Sequence, residues 1–73
     1  MKKFYITFGM IHKDTKGNSL ANCYTVIEAE TESEARNKMF ASPLGQQWAF
    51  MYKSAQEAGV LKYKLMLVPF NLL

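Results

Sequence analysis

The sequence predicts a small α+β domain: an antiparallel sheet with one main helix on one face, in the order ββαββ, over residues 1–73 as a single domain. Three observations carry this. KKFYITFGMIH alternates at the two-residue period of a strand, ETESEA opens like a capped helix, and LKYKLMLV alternates again until Pro69 stops it.

The first strand is expected from Lys3 to Ile11, where Phe, Tyr, Ile and Thr favour a pleated surface. Phe4, Ile6, Phe8 and Met10 then point one way, and Tyr5, Thr7, Gly9 and Ile11 the other, so both faces carry apolar groups. HKDTKGNS follows as a polar hairpin loop, rich in residues that tolerate unusual backbone angles. The second strand, Asn22 to Ala29, alternates Cys23, Thr25, Ile27 and Ala29 against Tyr24, Val26 and Glu28, and is expected to pair antiparallel with the first.

Thr31 with Glu34 fits a capping box, and Glu32 and Glu34 sit where the positive end of a helix dipole favours them. Ala35, Met39 and Ser42 fall on one side at helical spacing, Arg36, Asn37 and Lys38 lie mostly outside, and Pro43 and Gly45 end the helix. QQWAFMYK fits a helix or a strand; its dense aromatic run places it as a strand from Gln47 to Lys53. Ser54 with Glu57 caps a short helical turn ending at Gly59. The last strand runs from Leu61 to Val68.

In this arrangement Phe4, Ile6, Phe8, Ile27, Ala29, Leu65 and Leu67 meet the helix. Tyr5, Ile11, Tyr24, Val26, Met51, Met66 and Val68 lie on a face with no second layer, and mixed aromatics, methionines and lysines on such a face describe a contact surface. The candidate partner-binding residues are therefore Tyr5, Ile11, Tyr24, Val26, Met51, Lys53, Lys62, Lys64, Met66 and Phe70. Core packing competes for the aromatics: it is expected to take Trp48 and Phe50, while Tyr5, Tyr24 and Phe70 stand between core and surface.

Composition narrows the class. With 49% apolar and 14% aromatic residues against 21% charged, the 73-residue chain is expected to be ordered, although a body this small buries a limited core. Cys23 is the only cysteine, so no internal disulfide or multi-thiolate zinc site is expected, and a reducing, cytoplasmic setting is favoured. Neither a signal peptide nor a membrane span is expected. His12, Asp14 and Cys23 have no metal or protease spacing; they read as a loop histidine, a turn aspartate and a buried small thiol. Gly9, Gly17, Gly45 and Gly59 are isolated and form no phosphate loop, so neither an enzyme nor a cofactor is expected.

The net charge of +3 permits nucleic-acid contact without demanding it. Lys62 and Lys64 alternate with Tyr63, and Lys53 follows Tyr52, which suggests lysines beside stacking aromatics. In a strand, however, Tyr63 and those lysines point to opposite faces, and edge lysines also deter aggregation. A homodimer burying the uncovered face is the remaining alternative.

Ala29-Glu30-Thr31 followed by Glu34-Ala35, where a strand runs into a capped helix, resembles small phage-encoded host-takeover proteins, among them RNA-polymerase inhibitors of the T7 type and anti-CRISPR proteins. The MKKFYITFG start and the single-helix format are similar too. The resemblance covers seven positions and implies a protein that docks on a host protein or ribonucleoprotein complex in the host cytoplasm and blocks it sterically. It assigns no residue a functional role. The basic balance departs from the acidic, DNA-mimicking members of that group.

Overall fold

The structure, a computed structural model, describes residues 1–72 of the chain. Strands β1 (Lys2–Thr7) and β2 (Cys23–Ala29) form the centre, paired antiparallel with Lys2 opposite Ala29 and Thr7 opposite Tyr24. Strand β1 stops four residues short of Ile11 because Gly9 takes a left-handed backbone (φ 64°), which turns the chain out of the sheet. Phe8 still reaches the core, whereas Met10 and Ile11 leave it. The loop that follows is tied by Asp14, whose Oδ1 accepts the backbone N–H groups of Lys16 (2.9 Å) and Asn18 (2.8 Å).

Helix α1 (Glu32–Ala41) starts where expected: Thr31 Oγ1 accepts the Glu34 N–H at 3.2 Å. Glu34 extends its carboxylate to Lys38, 3.5 Å away. The helix buries Ala35 and Met39 on the sheet, and Ser42 closes it by donating its hydroxyl to the Met39 carbonyl. With Phe4, Ile6, Phe8, Leu20, Ile27, Ala29 and Leu44 these two residues make the core.

The third strand is shorter than expected. β3 (Phe50–Tyr52) pairs antiparallel with the other edge of β1, with Thr7 opposite Phe50 and Tyr5 opposite Tyr52. Cross-strand partners share a face, so Met51 joins Ile6 on the α1 side and packs against the core. Its expected place on the other face is corrected by this register. Phe50 is corrected in the opposite sense: it lies on the Tyr5 side and is exposed. Trp48 packs against the core as expected, its ring 5.9 Å from that of Phe40.

The end of the chain departs most from the sequence reading. Helix α2 (Ala55–Ala58) is capped by Ser54 Oγ on the Glu57 N–H (3.1 Å) and ends at left-handed Gly59, as expected. Residues 61–64 then form a turn, with Lys64 at φ 53°, and only β4 (Met66–Leu67) remains of the predicted Leu61–Val68 strand. β4 pairs parallel with β2, so the sheet is mixed, with order β3-β1-β2-β4. Met66 stands opposite Cys23 and Leu67 opposite Tyr24, which moves Leu67 off the helix face and Met66 onto the Cys23 side. A one-residue change of register inverts every side chain of a strand.

Topology explains where α2 goes. β2, β3 and β4 run the same way, so β2-α1-β3 and β3-α2-β4 are both parallel crossovers. The first travels across the sheet towards β3 and the second travels back, and crossovers of one hand that travel in opposite directions use opposite faces. Ala58, Tyr63 and Leu65 accordingly line a depression with Thr7 and Tyr52, on the side away from α1. Leu65 is thus also on the second face, contrary to its expected place against the main helix.

Candidate functional site

Alternate residues of β1 and β2 set the second face. Tyr5 and Val26 stand opposite one another, Thr7 stands opposite Tyr24, and Lys3 opposite Glu28. β3 adds Phe50 and Tyr52, and β4 adds Leu67. The Tyr5 and Tyr24 rings stack with centroids 6.3 Å apart and planes 29° apart; Phe50 and Tyr52 are 6.2 Å apart. Four aromatic rings therefore lie in two rows across the sheet.

A four-residue helix cannot cover that width. Tyr5, Tyr24, Val26 and Tyr52 are half-buried, and Leu67 keeps 53% of its surface in solvent. What stays open is a groove of about 470 Å³, with Tyr5, Tyr24 and Val26 in it, Leu67, Pro69 and Phe70 along it, and Lys3 and Glu28 at its end. The opposed charges of Lys3 and Glu28 leave this groove neither basic nor acidic. Phe70 belongs to a short 3-10 turn (Phe70–Leu72) that folds back on β2, where the ring also packs against the core.

The ten residues proposed from the sequence thus separate. Tyr5, Tyr24, Val26 and Phe70 are gathered in the groove. Lys53 lines a different crevice with Lys2, Lys3, Glu30 and Ser54. Ile11, 83% exposed, sits in the loop after β1 and not on the sheet. Met51 is on the core side, and Met66, though exposed, is on the Cys23 side of the edge strand. Lys62 and Lys64 lie in the turn after α2, with Lys62 Nζ 5.4 Å from the Tyr63 ring centroid.

Met10 and Leu61 were not among the residues proposed for contact, yet they are among the most exposed large apolar residues; Leu61 is 92% exposed. The usable signal is the glycine just before each group, since Gly9 and Gly59 both take positive φ and turn the chain out of regular structure.

Two titratable groups depart from their ordinary values. Hydrogen bonding, first from the Asn18 backbone N–H, holds the Asp14 carboxyl below the usual carboxylate value. Burial pushes the Cys23 thiol up, with the Asp14 charge acting in the same direction. His12 Nδ1 meets Gln47 Oε1 at 3.1 Å and ties the first loop to the segment before β3. Among the described residues no three His, Cys, Asp or Glu side chains gather as a metal site, and no helix is long and apolar enough to cross a membrane. No protein-family model, curated protein or solved structure matches the chain.

Proposed function

We propose that the chain is a non-enzymatic binding protein that docks on a protein partner through the groove of its second sheet face and blocks that partner sterically. The setting implied by the resemblance is a phage or mobile element acting on a host protein or ribonucleoprotein complex in the host cytoplasm. One observation carries the reading: Tyr5, Tyr24 and Val26 form a largely apolar strip that the chain's own second helix is too short to seal, flanked by exposed Leu67. Rigid aromatics at the centre of a desolvated patch supply most of the energy in protein interfaces. The neighbouring Lys3 and Glu28 suit a mixed-charge protein surface better than a polyanion.

Affinity capture from host extract with the tagged protein and with Val26→Lys tests this. The wild type is expected to retain a defined complex, identified by mass spectrometry, and the variant to lose it with an unchanged circular dichroism spectrum. Retention of the same complex by both proteins, or by neither, removes the proposal.

A second reading rests on the turn after α2. Lys62, Tyr63 and Lys64 are all exposed there, so the opposition of faces that a strand would impose no longer separates the lysines from the ring. A nucleic-acid contact at this turn requires affinity that falls as salt is raised, because phosphate contacts release counterions. Salt-independent binding contradicts it.

A further inference from the structure

The core cluster is built entirely from residues between Phe4 and Leu44, with Cys23, Trp48, Met51 and Phe70 packed at its margin. Residues 54–72 contribute little to it: of these nineteen, Ala58 and Gly59 alone are buried. They are attached to the sheet by a two-residue strand, with Met66 N–H bonded to the Asn22 carbonyl at 2.7 Å and Val68 N–H to the Tyr24 carbonyl at 2.8 Å, by the Phe70 ring, and by the packing of α2 on β1 and β3. Within itself, by contrast, the segment is well bonded: Val60 N–H to Ala55 O, Tyr63 N–H to Gly59 O and Leu65 N–H to Val60 O. A piece that is internally tied and joined to the sheet by few backbone bonds, with Ala58 its one fully buried apolar side chain and Val60, Leu65, Val68 and Phe70 only partly buried, has the properties of a unit that opens below the global unfolding free energy.

We propose that residues 54–72 form a strap that lifts from the second sheet face as one unit while β1, β2 and α1 stay folded. Lifting frees Thr7 and Tyr52, which the strap covers through Ala58, Tyr63 and Leu65, and removes the wall made by Leu67, Pro69 and Phe70. The groove then becomes a continuous face with Tyr5, Tyr24, Phe50 and Tyr52 across three strands. The strap is a latch on the face that the proposed function uses, and its role in partner binding rests on that reading; the opening itself does not.

Hydrogen exchange of the full chain, resolved by residue, tests the opening in the free protein. The amides of Met66 and Val68, whose bonds cross to Asn22 and Tyr24, are expected to exchange together, on the order of 100-fold faster than those facing across the β1–β2 pair. Equal protection of the two groups overturns the proposal.

A lock supplies the second measurement. Met66 lies directly opposite Cys23, and neighbouring strands are about 4.8 Å apart, within the Cα range a disulfide spans. Met66→Cys, oxidised with an added disulfide reagent because the Cys23 thiol is a weak acid, is expected to slow strap exchange at least about tenfold, and reduction is expected to restore it. A locked strap that exchanges as fast as the reduced one overturns the latch.

Against a partner captured by the wild type, the locked protein is expected to bind about tenfold more weakly than the reduced one. Equal binding overturns the gating role. Absence of any partner overturns the proposed function and leaves the exchange result to decide the opening.

Discussion

The two faces of this sheet are made by alternate residues of the same strands, yet they are finished differently. On one, a ten-residue helix lays Ala35 and Met39 over Phe4, Ile6, Phe8 and Ile27, and every one of these side chains is buried. On the other, a four-residue helix and a turn leave Tyr5, Tyr24, Val26 and Tyr52 only half-buried. Strand alternation puts large apolar side chains on both, although the second also carries Lys3, Thr7 and Glu28, and the covering element on that face is six residues shorter. The first face holds the core and the second is left partly open to solvent.

The largest test of that division is in the core. Phe8→Ala removes a fully buried ring and is expected to cost about 3–5 kcal/mol, most of the stability of a domain this size. Urea denaturation followed by circular dichroism checks it, and a cost near that of Val26→Lys would dissolve the distinction between the faces.

Gly59→Ala acts on the other face. Its backbone φ of 74° costs an alanine about 1–2 kcal/mol, and the new Cβ would stand 2.5 Å from the Tyr63 ring unless that exposed ring swings away. The expected signature is regional: faster exchange of amides in residues 54–72 with little change in the exchange of β1 and β2. A uniform loss of protection would mean that strap and core unfold together.

Thr25 offers a change in the opposite direction. It is wholly buried on the helix face and its hydroxyl has no hydrogen-bond partner. Thr25→Val keeps the shape, removes the unpaired group and is expected to raise stability by about 1 kcal/mol in the same denaturation experiment. A loss would show that the hydroxyl is satisfied.

The smallest effect concerns pH. Asp14 titrates below its ordinary value of 3.8 when folded, so its contribution is complete above that value and is lost as pH falls through the lower folded value. NMR of the Lys16 and Asn18 amides is expected to follow that titration, and Asp14→Asn to abolish it. Unchanged amide shifts across that acid range would remove Asp14 as the loop's tie.

Local chemistry was legible in the chain. Alternation located β1 and β2 and their inward residues. The Thr31 and Ser54 hydroxyls marked both helix starts, and Pro43 and Gly59 fell where the helices end, because each of these signals acts within one turn or one strand. Of the candidate face, Tyr5, Tyr24, Val26 and Phe70 were legible for the same reason. What a strand's partner is, and on which side it arrives, is not local. Leu67 and Met66 exchanged faces when β4 paired parallel with β2, Met51 turned inward with the register of β3, and a four-residue helix was carried to the second face by the direction of its crossover. Periodicity fixes which residues share a side; only the pairing of segments far apart in the chain decides which side is sealed and which stays open to solvent.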